Sequence, residues 1–256
     1  MSESICGKSD LYNQDALRLE AVTVSVGFDD LLDFTLGLNH SHFDSYIVVT
    51  SHDDKETPKV CAKHGAFCVP TDLFMKNGRL MNKGAAINAG YGYFQWWGWR
   101  LNLDADILLP DKFRQTLFNH THLERSCLYG ADRCDVIGKA NIEKLVASRN
   151  DRPQHRHHFF IDQTHGGQVD TSPAARINHT LHGYTPIGFF QLWHASCQKT
   201  HPYSLGTAAH DDTLFAQLWP LANRRLLPSV ICYHICPAAP KWSQNWEGQR
   251  KMPRLK

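Results

Sequence analysis

Short apolar runs alternate with amphipathic stretches along the first 110 residues. Runs rich in β-branched and other apolar residues predict four strands, at 21–26, 45–51, 66–71 and 99–110. The intervening stretches carry small residues or apolar residues at helical spacing, and they predict helices at 29–39, 55–65 and 82–97. Because strands and helices alternate, we predict an α/β fold in which helices flank a mostly parallel central sheet.

The second half of the chain has a less regular pattern. Apolar runs predict strands at 126–138, 184–196 and 229–236, and a helix is predicted at 210–219. Between them, the polar segment 148–180 contains Gly and Pro breaks, and its histidines cluster at 152–165. A segment of this length without a periodic pattern predicts a long loop, either an acceptor loop or a solvated insertion.

Two aspartates lie near the end of the fourth predicted strand, in LDADILLP (103–110). In a strand, Asp104 and Asp106 project to the same side, whereas Ala105 projects to the other. Ligands of open α/β sheets bind beyond the carboxyl ends of the strands, and carboxylates suit Mg²⁺ or Mn²⁺. The pair therefore predicts a site for a metal or a ligand hydroxyl. The structural alternative is a turn cap next to an ion-paired carboxylate.

The third predicted helix begins with small residues, in NKGAAINAG (82–90), which allow a close approach to a ligand or a strand. Lys83 lies at the positive end of the helix dipole, where an anion is favoured. A tightly packed helix with a solvated lysine explains the same residues. This motif alone leaves both interpretations open.

Two further motifs carry ionisable groups. Asp211 and Asp212 lie at the predicted start of a helix, where one of them can cap the turn beginning at Thr213. Adjacent carboxylates raise each other's proton affinity, which suits the other aspartate to act as a general base. His234 lies alone near the end of an apolar strand. It is either a structural histidine or a third ligand of a metal bound by the D-x-D pair.

Composition narrows the class of protein. Hydrophobic residues make up 42% of the 256 residues and charged residues 20%, and the formal net charge of +2 gives no general support for nucleic-acid binding. The eight cysteines form no CxxC pair, and no apolar run approaches the roughly 20 residues of a membrane span. We expect reduced thiols and a cytoplasmic location.

Taken together, the motifs resemble the GT-A fold glycosyltransferases, above all the inverting enzymes of the family 2 type. VVTSHDD (48–54) is similar to the segment that holds the nucleotide base, NKGAAINAG to the K-G-x-A-x-N-x-G stretch, and LDADILLP to the D-x-D strand. GFFQLW (188–193) resembles the acceptor-side strand, HDD (210–212) the acidic pair, and NWEGQ (245–249) the segment that closes over the donor.

The resemblance implies a single GT-A domain over residues 1–256, with a Rossmann-like sheet and a less regular acceptor-side half. The nucleotide-sugar half would span about 20–118, the acceptor-side half about 119–240, and a basic tail or lid 241–256. The acidic pair is Asp-Asp where the family usually has Glu-Asp. Asp212 is the implied base because the family's base is commonly second in the pair, and Asp211 remains the alternative.

The resemblance also implies the cofactors and the residues that hold them. Mn²⁺ or Mg²⁺ would be bound by Asp106 and His234, while Asp104 would ligate the metal or orient the ribose or a metal-bound water. The donor would be a nucleoside-diphosphate sugar, specifically a UDP-sugar. The residues implied to contact this donor are Asp53, Lys83, Asp104, Asp106 and Trp246.

The acceptor is implied only as a class. A glycan fits, and so does a hydroxymethylated base of viral DNA, whose phosphates would contact the basic stretches 149–158 and 241–256. A solvated basic terminus explains the same residues. The sequence leaves the oligomeric state open.

Two other functions compete with the transferase. A sugar-nucleotide nucleotidyltransferase shares the sheet and the metal, but it carries a Gly-rich basic loop after the first strand, where this chain has GFDDLLDF (27–34). A non-catalytic carbohydrate-binding protein would stack tryptophans on sugars, and the candidates are Trp96, Trp97, Trp99, Trp193, Trp242 and Trp246.

Overall fold

The computed structural model describes residues 18–74, 82–95, 97–119, 122–148, 178–179, 183–203, 208–237, 250 and 252–255. Its strands are β1 (Leu19–Val24), β2 (Ser45–Thr50), β3 (Phe67–Pro70), β4 (Trp99–Leu103), β5 (Ile107–Leu108), β6 (Leu128–Ile137), β7 (Asn178–His179), β8 (Gly183–Tyr184), β9 (Phe190–His194) and β10 (Arg224–Cys236). Eight of these form one sheet in the order β3–β2–β1–β4–β9–β6–β10–β5, and β7 pairs with β8 separately.

Parallel pairing dominates the first half of the sheet, as predicted. β1 pairs in parallel with β2 and β4, and β2 pairs in parallel with β3, so the carboxyl ends of these strands lie along one edge. β9 runs antiparallel between β4 and β6, whereas β6 and β10 pair in parallel. Because β9 is reversed, its first residue, Phe190, pairs with Leu103 at the carboxyl end of β4.

The α-helices of the described residues are α1 (Asp29–Asn39), α2 (Thr57–His64), α3 (Lys83–Tyr91), α4 (Phe113–Asn119), α5 (Lys139–Ser148) and α6 (Ala208–Ala216). Close packing places α3 on β1 and β2. A Cβ at Gly90 would lie 2.6 Å from the Val22 side chain and 2.8 Å from that of Val49. A glycine is therefore required for this approach.

The D-x-D segment is a turn, and the predicted continuous strand at 99–110 is wrong. β4 ends at Leu103, whose carbonyl accepts a hydrogen bond from the Thr23 hydroxyl at 2.8 Å. The chain then turns, with Ile107 N donating to Asp104 O at 3.2 Å. It resumes as β5, which pairs with β10 instead of continuing beside β9. Strand alternation therefore does not determine where Asp104 and Asp106 point.

The acidic pair also has a different setting from the predicted one. The helix begins at Ala208, so Asp211 lies in its first turn and Asp212 follows one residue later. Neither aspartate can cap a helix that begins at Thr213, because Thr213 lies inside α6. β6 and β10 confirm the predicted strands at 126–138 and 229–236, although β10 begins earlier than expected, at Arg224. The predicted strand at 184–196 is shorter, because β9 covers only Phe190–His194 and Tyr184 belongs to β8.

Several predictions fall on residues outside the described ranges. These are the interpretations of the His-rich segment 152–165 and of Trp96, Trp242 and Trp246, together with the thiol of Cys6. The seven cysteines within the described ranges are all free thiols. In those ranges, no helix is long and apolar enough to cross a membrane.

The described part of the predicted tail is bound to the start of α1. The Arg250 guanidinium donates to both carboxylate oxygens of Asp30 and, at 3.1 Å, to the carbonyl of Gly27. Leu255 N also donates to Asp30, at 2.7 Å. Burial favours the neutral acid, but the hydrogen bond from Arg250 holds the pKa of Asp30 below its ordinary value.

Arg250→Lys is expected to lower the free energy of unfolding by about 1–2 kcal/mol, because a lysine keeps the charge but loses the two-pronged hydrogen bond. Thermal unfolding at neutral pH measures this loss. Arg254→Lys is the matched control, since Arg254 binds the neighbouring Asp29 from a half-exposed position and such pairs contribute less. Equal losses in the two variants would contradict a special role for the Arg250 contact.

Candidate active site

Three charged side chains from separate elements meet at the carboxyl edge of the sheet. Lys83 is the first residue of α3, Asp104 follows β4, and Asp212 lies in α6. Lys83 Nζ lies 2.8 Å from Asp104 Oδ1 and 3.1 Å from Asp212 Oδ1. The lysine side chain is only 8% exposed, so the alternative of a solvated lysine is wrong.

Each charged group in this cluster shifts the pKa values of the others. Burial by itself lowers the pKa of Lys83, but the carboxylates of Asp104 and Asp212 raise it above its ordinary value. Burial, reinforced by the charge of Asp104, raises the pKa of Asp212 to about 7 against the lowering effect of Lys83. Burial also raises the pKa of Asp104. A carboxyl group that titrates near neutrality has the proton affinity expected of a general base.

The turn before β9 and the strand itself hold Asp212 in place. Gln191 Nε2 donates to the backbone carbonyl of Asp212 at 3.0 Å and to that of Pro186 at 2.9 Å. A Cβ at Gly188 would lie 2.0 Å from Asp212 Oδ1, so a glycine is needed to leave room for the carboxylate. Both Gly188 and Gln191 lie in the GFFQLW motif, but sequence reasoning assigned neither of them a role.

Asp211 caps a helix, although not the one predicted. Its Oδ2 accepts a hydrogen bond from Gly84 N at 3.1 Å, one of the unpaired donors in the first turn of α3. Asn82 Oδ1 accepts another from Ala85 N at 3.2 Å. Asp211 therefore joins α6 to the start of α3, the helix that carries Lys83.

His234 lies between two carboxylates, so the structure brings it to the predicted metal site. Its Nε2 lies 3.2 Å from Asp106 Oδ2 and its Nδ1 lies 2.8 Å from Asp135 Oδ1. Despite burial, these two groups raise the pKa of His234 well above its ordinary value. Burial opposes ionisation of Asp106, but the charge of His234 holds the pKa of Asp106 below its ordinary value.

The Asp106 carboxylate and the His234 imidazole fit a divalent cation. Asp106 and His234 face each other at hydrogen-bond distance, and Ile235 N donates to Asp106 O at 2.8 Å, which fixes the D-x-D turn against β10. The Asp104 side chain is 36% exposed, so this carboxylate can reach a ligand. A carboxylate with an imidazole suits Mn²⁺, and carboxylates alone suit Mg²⁺. Among the described residues, the three ligand atoms that lie within 4.8 Å of one another belong to Asp135, His234 and Cys236.

The predicted base-binding segment is ordered by Asp54, the neighbour of the predicted residue. Asp54 accepts hydrogen bonds from Gly27 N at 2.8 Å and from the Thr57 hydroxyl at 2.8 Å, which ties the loops after β1 and β2 together. Asp53 is exposed beside it. Its predicted contact with the nucleotide base stays a prediction.

Two of the six tryptophans proposed to stack on sugars are buried. Trp193 has no exposed surface, and Trp99 is 4% exposed. Trp97 is exposed. Burial of the first two weakens the carbohydrate-binding alternative.

Comparison with known proteins identifies the fold. No protein-family model and no curated protein sequence matches the chain. Among solved structures, glucosyl-3-phosphoglycerate synthase from Mycobacterium tuberculosis, in complex with Mn²⁺, UDP and glucosyl-3-phosphoglycerate, matches with a TM-score of 0.50 and 10% identity. The match covers 92% of this chain and 77% of that one. A mycobacterial protein matches at a TM-score of 0.50 and 11% identity, over 91% of this chain and 70% of that one.

A further match is shorter. Mannosyl-3-phosphoglycerate synthase from Rubrobacter xylanophilus matches at 20% identity with a TM-score of 0.37. It covers 45% of this chain, and this chain spans 40% of that protein's length. The match to glucosyl-3-phosphoglycerate synthase over 92% of this chain confirms the predicted GT-A-like α/β fold.

Proposed function

We propose that the chain is a metal-dependent glycosyltransferase, which moves a sugar from a nucleoside-diphosphate donor to an acceptor hydroxyl with inversion. The observation that supports this proposal most strongly is the buried Asp212 carboxylate, which Lys83 holds next to the D-x-D turn of a GT-A-like sheet. The Mn²⁺ and UDP bound to the synthase from Mycobacterium tuberculosis support the same cofactors here.

The donor is assigned to the first half of the chain, about 20–118, and the acceptor to the second, about 119–240. Asp106 and His234 would hold Mn²⁺ or Mg²⁺ with Asp104, and the bound cation would offset negative charge on the leaving diphosphate. In this proposal Asp53, Lys83 and Trp246 contact a UDP-sugar, with Trp246 contributed by the 241–256 segment.

Asp212 is the proposed general base. Its carboxyl group is buried and has a pKa of about 7, so it can accept a proton from a hydroxyl at physiological pH. The contacts with Lys83 and Gly188 fix its position. Asp211 is less suited because its carboxylate already caps α3.

The acceptor is proposed as a molecule that carries a hydroxyl group. One panel of compounds tests the candidate acceptors together. A glycan, a hydroxymethylated DNA base and phosphoglyceric acid form the panel. Phosphoglyceric acid is included because the synthase from Mycobacterium tuberculosis has been solved in complex with glucosyl-3-phosphoglycerate. A cytoplasmic location stays a prediction.

Release of nucleoside diphosphate from a panel of nucleotide sugars tests the function. With Mn²⁺ and the acceptor panel, we expect turnover that stops in excess EDTA and returns when Mn²⁺ is added again. Asp106→Ala should abolish this turnover while leaving the circular dichroism spectrum unchanged, because Asp106 lies in a turn. Undiminished turnover after chelation would rule out the metal role. Binding of sugars without any release of nucleoside diphosphate would favour the carbohydrate-binding alternative.

A further inference from the structure

His234 has a partner on the side of its ring that faces away from the D-x-D turn. Asp135 Oδ1 lies 2.8 Å from Nδ1, whereas Nε2 lies 3.2 Å from Asp106 Oδ2. Asp135 and His234 are register neighbours in the parallel pairing of β6 and β10. The sheet itself therefore sets this contact, which no motif in the sequence indicated.

Cys236 also lies against the ring, but its sulfur is not placed to bind the same cation as His234 Nδ1. Its Sγ lies 3.3 Å from His234 Nδ1 and 3.8 Å from Nε2. If the sulfur lay in the plane of the ring at these two distances, it would overlap a ring carbon. On one side this would be the carbon between the two nitrogens, and on the other side the carbon bonded to Nδ1. It therefore lies over the imidazole face, whereas the nitrogen lone pair points outward in the ring plane. The side chains of Asp135, His234 and Cys236 lie close together, but in this arrangement they do not form a metal site with a thiolate ligand.

We infer that Asp135 is a positioning residue for the cation site: it accepts the Nδ1–H of His234 and so directs Nε2 toward the cation. The inference rests on the proposed function, since it takes His234 as a metal ligand. Metal-bound histidines commonly donate their other N–H to a carboxylate, which fixes the ring and strengthens the ligand. Arg133 Nε lies 3.8 Å from Asp135 Oδ1 and partly neutralises it.

The chain offers a matched control for this pair. Asp33 Oδ1 lies 2.6 Å from His64 Nε2, which is a second Asp–His contact between α1 and α2. Asp33→Ala therefore removes the same type of interaction without touching the D-x-D turn or β10. Asp135→Asn is the conservative variant, because its amide oxygen still accepts a hydrogen bond from Nδ1.

The first measurement is the affinity for Mn²⁺ in the presence of UDP, from the electron paramagnetic resonance signal of free Mn²⁺. Asp135→Ala should weaken Mn²⁺ binding about 10–100-fold, Asp135→Asn should recover part of the loss, and Asp33→Ala should leave the affinity unchanged. Circular dichroism confirms that each variant is folded. Unchanged affinity in folded Asp135→Ala would overturn the inference but leave the proposed function standing.

The second measurement needs no metal. In the metal-free wild type, ¹⁵N–¹H spectra should show a slowly exchanging proton on His234 Nδ1, and this signal should disappear in Asp135→Ala but persist in Asp33→Ala. A wild type that lacks the signal overturns the inference. A wild type that shows the signal but binds no Mn²⁺ with UDP overturns the metal role in the proposed function, and with it the role of Asp135 toward a cation.

Discussion

Replacing Asp212 by asparagine is expected to reduce turnover by about 10²–10⁴-fold, the usual contribution of a general base. The amide keeps the shape of the side chain beside Gly188 but cannot accept the proton of the acceptor hydroxyl. Donor binding should persist, because the residues proposed to hold the nucleotide sugar remain in place. Steady-state release of nucleoside diphosphate measures turnover, and nucleotide-sugar binding to the variant measures the donor site.

Asp211→Asn is the matched control for this change, one residue earlier in the same helix. Its amide oxygen can still accept the hydrogen bond from Gly84 N that the carboxylate accepts now. We expect near-normal turnover and a small loss of stability. A folded but inactive Asp211→Asn enzyme would reverse the assignment of the base. Near-normal turnover in both variants would place the base outside this motif.

The raised pKa of Asp212 gives an independent check. It is about 7 in the folded protein, above the ordinary value of 3.8. The neutral form of Asp212 therefore stabilises the folded state at low pH, and this contribution is lost as the pH rises through about 7. Stability of Asp212→Asn relative to wild type should improve from acidic to alkaline pH in thermal unfolding. A pH-independent difference would contradict the raised pKa.

Periodicity predicted the parallel half of the sheet, and local motifs marked the D-x-D pair, Lys83, the Asp211–Asp212 pair and His234 as candidates. The resemblance to GT-A glycosyltransferases selected Asp212 from its pair. The strand predictions succeed because burial on both faces favours mostly apolar runs, such as those of β1 and β2. The structure brings Lys83, Asp104 and Asp212 into contact, although residues 83 and 212 are distant in the chain.

The remaining features depend on pairing between distant elements. The partner of His234 is set by the register of β6 and β10, and no local pattern marks Asp135. The turn at Asp104 forms because the chain stops pairing with β9 at the end of β4 and then pairs with β10 as β5. Strand alternation in the sequence does not reveal this change of partner strand. The role of Asp211 in capping α3 requires contact between α6 and a helix more than 100 residues earlier.

Lys83→Met is expected to destabilise the folded protein by about 3–5 kcal/mol at neutral pH, because it leaves carboxylates at the site without their counter-charge. For a chain of this size, that loss corresponds to roughly 10 °C in Tm. Lys83 now lowers the pKa of both Asp104 and Asp212, so its removal raises both. Since protonation relieves the repulsion, the loss of stability should grow as the pH rises from acidic to alkaline values.

The same change should move the pH dependence of kcat/KM toward alkaline pH, because the base must be deprotonated and its pKa rises above about 7. The double variant Lys83→Met/Asp104→Asn removes one carboxylate together with the ammonium. It should recover most of the stability that Lys83→Met loses, although donor binding should still be weakened. If Lys83 served only to bind the diphosphate, the variant would raise KM for the donor equally at every pH. Its Tm would then fall by the same amount at pH values below and above the pKa of Asp212. That result would show that the ammonium does not control the charge of the proposed base.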